Sequence, residues 1–119
     1  MEEKRKYPRY GCCPGRNFVA RHENKKSILG EIKDFSRGGI CFDSKNRLNT
    51  DDQLGLDLEI DGLDQKMPAG IQIRWCKKNK GRYTYGARLV NMNPGSKFDI
   101  MDLLYQDWRK NLNSSSLLS

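Results

Sequence analysis

Gln53-Leu54-Gly55-Leu56-Asp57-Leu58-Glu59-Ile60 alternates aliphatic and polar residues without a break, and Asp61-Gly62 follows as a turn signal. Successive side chains of a strand point to opposite faces. This period therefore sends Leu54, Leu56, Leu58 and Ile60 into a core and Gly55, Asp57 and Glu59 toward solvent. The same reading extends both ways. Upstream, 16–23 carries Phe18, Val19 and Ala20, and Asn24-Lys25-Lys26 reads as a turn. The stretch 27–35 puts Ile28, Gly30 and Ile32 on one face, and 39–43 (GICFD) is short and apolar. Downstream, 65–78 places Ile71, Ile73 and Trp75 on one face, Gly81 marks a turn, and 82–90 aligns Tyr83, Tyr85, Ala87 and Leu89. Short strands joined by turns, with no helix between them, predict an antiparallel sheet closed into a small barrel or sandwich.

The period changes after Asn93-Pro94-Gly95-Ser96. Phe98, Met101, Tyr105, Trp108 and Leu112 fall on one stripe of a helix, which is expected to dock on the barrel. Ser96 with Asp99 fits a capping box, and Asp99 and Asp102 near the start with Arg109 and Lys110 near the end suit the helix dipole. The chain thus divides into a flexible arm over 1–15, a barrel with its helix over 16–112 and a frayed tail over 113–119.

At 119 residues the chain holds one domain with one core. No apolar run approaches the roughly 18 residues of a membrane span, and the charged start MEEKRK is followed by no apolar segment of a signal peptide. Lys and Arg number 22 against 15 Asp and Glu, a net +7, which points to an anionic partner. The cysteines are Cys12, Cys13, Cys41 and Cys76, with no CxxC pair, and His22 is the single histidine. That set excludes a zinc finger, gives no disulfide framework and leaves little for histidine-based catalysis. Reduced thiols in the cytoplasm are expected, with Cys41 and Cys76 buried in apolar runs.

Two short constellations carry the chemistry. Arg5-Lys6-Tyr7-Pro8-Arg9 sets two arginines four apart on the arm, and Asp34-Phe35-Ser36-Arg37-Gly38-Gly39 makes a polar turn between apolar strands. A guanidinium fork matches phosphate oxygens and the O6/N7 edge of guanine, and it stacks on bases. A carboxylate complements the opposite guanine edge, where N1–H and N2–H donate. Ser36 supplies a hydroxyl to phosphate or holds the turn, and Gly38 and Gly39 permit a close backbone approach. With ten arginines in the chain, one RxxxR is expected by chance, whereas [Asp/Asn]-x-Ser-x-x-Gly should occur at roughly 0.1 per chain of this composition.

RxxxR on an N-terminal arm, followed about thirty residues on by Asp34-x-Ser36-x-x-Gly39 in an all-β chain, resembles the PilZ domain family. Ile73-Arg74-Trp75, Tyr85-Gly86-Ala87-Arg88-Leu89 and the C-terminal helix add to the likeness, which covers about 4–112. The resemblance implies a mainly β fold, a six-stranded antiparallel barrel with a C-terminal α-helix. It also implies a bacterial receptor for the second messenger cyclic di-GMP that is not an enzyme and needs no metal or other cofactor. By position, Arg5, Arg9, Asp34, Ser36 and Gly39 match the ligand-binding motifs, with Lys4, Arg37 and Gly38 as further candidates. The arm is expected to fold over the ligand and signal to a downstream protein partner. Two other readings stay open. One is a basic small barrel that stacks single-stranded nucleic acid on Trp75, Tyr83 and Tyr85. It is disfavoured because the tyrosines alternate as core residues do. The other is a PilZ-type protein adapter that ignores nucleotides.

Overall fold

The computed structural model describes residues 10–22 and 27–118, with side chains described over 15–22 and 27–110. Six strands run in chain order: β1 (Tyr10–His22), β2 (Ser27–Phe35), β3 (Gly39–Ser44), β4 (Gln53–Ile60), β5 (Met67–Asn79) and β6 (Arg82–Met92). Helix α1 (Pro94–Leu118) follows. All pairings are antiparallel, and the order β1-β2-β3-β6-β5-β4 closes into a barrel through β1 and β4.

Alternation fills the interior. Leu56, Leu58 and Ile60 of β4 are buried, as are Ile28 and Ile32 of β2, Ile71 and Ile73 of β5, and Tyr85, Ala87 and Leu89 of β6. Phe18 meets Phe42 edge-on at 5.4 Å between centroids, and Phe42 lies 5.3 Å from Tyr85. Gly30 makes room for this cluster, because a Cβ there would overlap the Phe18 ring and the Asp43 carbonyl. The segment 45–52 crosses the end of the barrel between β3 and β4. Tyr85 holds it from inside: its hydroxyl donates to the Asn46 carbonyl at 2.7 Å and accepts from the Leu48 N–H at 2.8 Å. Burial pushes the Tyr85 phenol above its usual pKa. The β5–β6 hairpin turns through Lys80 and Gly81, both at positive φ, the backbone of a tight two-residue turn.

The structure departs from the sequence reading at four places. First, β1 starts at Tyr10 rather than at 16, because Tyr10 and Gly11 pair with Phe35 and Asp34, and a register shift separates this pairing from the one that resumes at Arg16. Second, a bulge between Ile73 and Trp75 turns Trp75 outward, where it is 47% exposed, although strict alternation puts it in the core. Third, past that bulge Cys76 is exposed and Cys41 only half-buried, so neither is the buried thiol expected.

The fourth departure is the helix. Its packed residues are Ile100 and Leu104, both fully buried, while Phe98 is 68% and Trp108 40% exposed. Phe98 and Trp108 of the stripe therefore face away from the barrel, while Met101 packs at the edge of the core. The cap also differs: the Asn93 side-chain carbonyl accepts from the Gly95 N–H at 2.8 Å, and Pro94 is the first helical residue. Ser96 then lies inside the first turn, which holds no acidic residue. What anchors α1 is Arg16 of β1, whose guanidinium donates two bonds to the Asp107 carboxylate, at 2.6 and 2.7 Å, and a third to the Asp61 carbonyl at 3.2 Å. The hydrogen bonds from Arg16 hold the Asp107 carboxyl below its ordinary pKa.

Two outcomes follow. Tyr85→Phe leaves the Leu48 N–H and Asn46 carbonyl without their partner and should cost about 1–3 kcal/mol in urea unfolding. A carboxylate with a depressed folded pKa adds stability above its unfolded pKa and loses it as pH falls through the folded value. The wild type should therefore lose stability more steeply than Asp107→Asn below about pH 4, and parallel denaturation curves for the two proteins would exclude the Arg16–Asp107 clamp.

Candidate functional site

The turn between β2 and β3 is built by its own backbone. The Ser36 N–H donates to the Gly39 carbonyl at 2.9 Å, and the Ser36 hydroxyl lies 3.5 Å from the same oxygen. Ser36 is 4% exposed. Of the two roles read from the sequence, the geometry favours holding the turn. The Leu89 N–H of β6 donates to the Gly38 carbonyl at 2.9 Å and stitches the turn to the next strand. Arg37 and Gly38 are exposed at the tip, Gly39 is buried and Asp34 is half-buried at the end of β2.

Register decides what stands beside this turn. Gly11 of β1 is the partner of Asp34, Asp34 of Cys41, Cys41 of Gly86, and Gly86 of Trp75. One row thus crosses five strands on the outer surface. Neighbouring strands lie about 4.8 Å apart, so Asp34 and Trp75 stand roughly 14 Å apart along it. The floor between them is made of small residues, Cys41 and Gly86. Trp75 lies flat on that floor, since a Cβ at Gly86 would overlap its indole. Arg88 is exposed on β6 and is the partner of Gly39.

The structure therefore groups Asp34, Ser36, Arg37, Gly38 and Gly39 in one turn and adds Trp75 and Arg88 beside it. The sequence reading used Arg88 only as a marker of likeness, and Trp75 as that, as a face-mate of Ile71 and Ile73, and as a stacking residue of the nucleic-acid alternative. Alternation alone puts residue 88 outside, between inward Ala87 and Leu89, but only the pairing of β3 with β6 shows that it faces the turn. Lys4, Arg5 and Arg9 lie outside the described residues. Tyr85 is fully buried and Tyr83 half-buried, which removes the tyrosine platform that stacking of single-stranded nucleic acid would use. The site is open surface. A groove of about 730 Å³ between Arg21, Pro68, Asn93 and Ser96 holds none of the motif residues. Among the described residues no helix is long and apolar enough to cross a membrane.

A family model described as PilZ domain matches residues 3–106. No curated protein matches the sequence. Among solved structures, the PilZ domain of YcgR from Escherichia coli with c-di-GMP superposes with a TM-score of 0.73 at 12% identity, covering 96% of this chain and 98% of that one. The MrkH–c-di-GMP complex of K. pneumonia gives 0.67 at 18% identity, covering 89% and 52%. The inhibitor of motility MotI/DgrA of Bacillus subtilis gives 0.66 at 14% identity, covering 94% and 53%. The chain spans about half the length of the last two. At these identities the likeness is one of fold.

The contact between Trp75 and Gly86 can be read spectroscopically. Gly86→Val must displace the indole, so it should change the near-ultraviolet circular dichroism and shift tryptophan emission. In a Trp75→Phe background the same substitution should leave the remaining tryptophan signal unchanged.

Proposed function

Because the chain belongs to the PilZ domain family, we propose that it is a receptor for cyclic di-GMP, bound on the outer surface of the barrel between the N-terminal arm and the β2–β3 turn. The observation that carries this reading is the pairing of β1 with β2. Tyr10 is the partner of Phe35 and Gly11 of Asp34. Arg9 directly precedes Tyr10, and in this reading the RxxxR segment reaches the strand end that holds Asp34-x-Ser36-x-x-Gly39. The ligand carries two guanines and two phosphates. Arg5 and Arg9 grip a guanine edge and phosphate, and Asp34 accepts from the guanine N1–H and N2–H. Ser36 and Gly39 keep the turn close enough for backbone contact. Lys4, Arg37 and Gly38 are the further candidates of the same surface. The ligand-bound neighbours YcgR and MrkH, named above, support the ligand assignment.

In this reading the arm closes over the ligand. Pro8 narrows the unbound ensemble and reduces the entropy lost on closure. The output is a changed surface read by a protein partner in the cytoplasm, without turnover of the dinucleotide. The exposed Phe98 and Trp108 supply apolar surface for such a contact.

Calorimetric titration of cyclic di-GMP, with GTP as control, tests the proposal. Saturable binding absent for GTP is expected. Arg9→Ala should weaken it by about 2–5 kcal/mol, at least roughly 30-fold, with Asp34→Ala weakening it as well. No heat with cyclic di-GMP, or an unchanged affinity in Arg9→Ala, would overturn the assignment.

A further inference from the structure

The β5–β6 hairpin carries a charge pattern that the ligand reading does not use. Residues 65–98 contain no Asp or Glu. Within this span Arg74, Lys77, Lys78, Lys80 and Arg82 crowd the end of the hairpin, and all five are exposed. Lys45 and Arg47, exposed on the segment after β3, lie at the same end of the barrel, because Ser44 is the partner of Tyr83. Among the described residues none of these seven cations is in an ion pair. Lys45 and Arg82 border a groove that also holds Glu31, Asp43, Glu59 and Asp61. Of these, Glu31 and Asp43 face Lys33, Asp43 also accepts from the Thr84 hydroxyl at 2.6 Å, and Glu59 pairs with Arg21, while Asp51 and Asp52 join the backbone of Ile73.

The hairpin is also free-standing at this end. β4 pairs with β5 only as far as Gln72, so among the described residues β5 has no strand on its other edge from Arg74 to Asn79. The cations occupy both faces of the resulting ribbon. Lys77, opposite Thr84, is two residues beyond outward Trp75 and shares its face. Lys78, opposite Tyr83, shares the other face with Tyr83 and buried Tyr85.

We propose that this basic ribbon is a binding surface for the phosphate backbone of duplex DNA, with the ribbon seated in a groove. A two-stranded ribbon fits the major groove of B-form DNA. Cations on both faces suit an occupant that flanks the ribbon on two sides, as the two phosphate walls of a groove do. A membrane or a flat acidic protein surface meets one face only, and the tip, Asn79-Lys80-Gly81-Arg82, offers no apolar side chain to insert into lipid. This surface differs from the stacking platform considered from the sequence, which needed the buried tyrosines. The inference does not rest on cyclic di-GMP binding. Lysines on an open strand edge also deter sheet-to-sheet association, and a ribbon with that role alone binds no duplex.

The test is fluorescence anisotropy of a labelled 20-base-pair DNA duplex across 50–200 mM salt. For about five phosphate contacts the affinity should fall roughly 500-fold over that range. Lys78→Glu/Lys80→Glu/Arg82→Glu should weaken binding at least tenfold more than Lys66→Glu/Lys97→Glu/Lys110→Glu, which makes the same charge change away from the ribbon. Circular dichroism and size-exclusion profiles matching wild type establish that both variants are folded. If the ribbon variant fails to fold, Lys78→Ala/Lys80→Ala replaces it against Lys66→Ala/Lys97→Ala, with the same ordering expected. No duplex binding at 50 mM salt, equal losses in ribbon and control variants, tighter binding to the single strand, or equal binding to phosphatidylglycerol vesicles would each overturn the proposal.

Discussion

β1 pairs with β2 along one edge and with β4 along the other, and this double pairing, with β3 against β6, joins the units β1-β2-β3 and β4-β5-β6 into a closed barrel. Closure removes two sheet edges and gives every inward side chain a counterpart across the interior. Phe18 of β1 meets Phe42 of β3, which in turn meets Tyr85 of β6. Phe18 joins this cluster because β1 lies against β2 and β4, whereas Phe42 and Tyr85 are partners across β3 and β6. The same pairing sets Gly11 opposite Asp34, so one strand's placement both completes the core and brings the start of β1 beside the β2–β3 turn.

The outer surface is organised by register and bulges. Bulges shift β1 against β2, β2 against β3 and β5 against β6. The one between Ile73 and Trp75 has the largest effect on the surface. It takes an indole that alternation assigns to the core and lays it over Gly86, and it leaves Cys76 and the lysines beyond it exposed. The small residues Cys41 and Gly86 then leave a low floor between Asp34 and the indole. A bulge is a common device for re-aiming a side chain.

Helix α1 shows how a stripe read from sequence can be real and still face the wrong way. Phe98, Met101, Tyr105 and Trp108 do align, but the barrel centres on the neighbouring face, with Ile100 and Leu104 fully buried, Met101 packed only at the edge and Asp107 held by Arg16. A short aliphatic pair packs closer to the barrel than bulky aromatics, and the Arg16–Asp107 pair fixes the rotation. Tyr105 and Trp108 stack on one another at 5.8 Å instead.

The sequence by itself determined the strands, most of their inward faces and the two motifs, because these depend on neighbours one to five residues apart. Leu56, Leu58, Ile60, Tyr85, Ala87 and Leu89 were legible as core from alternation alone, and the turn 34–39 between two apolar strands from its polar and glycine residues. The family likeness was legible for the same reason. The tertiary structure alone decided what lies across strands: Asp34 beside Gly11, Arg88 beside Gly39, Trp75 on Gly86, and Arg16 on Asp107, 91 residues away. It also gathered Lys45 and Arg47 with the hairpin cations. Such relations are set by strand register and by a bulge, which change which residues meet without changing the local pattern that a sequence displays.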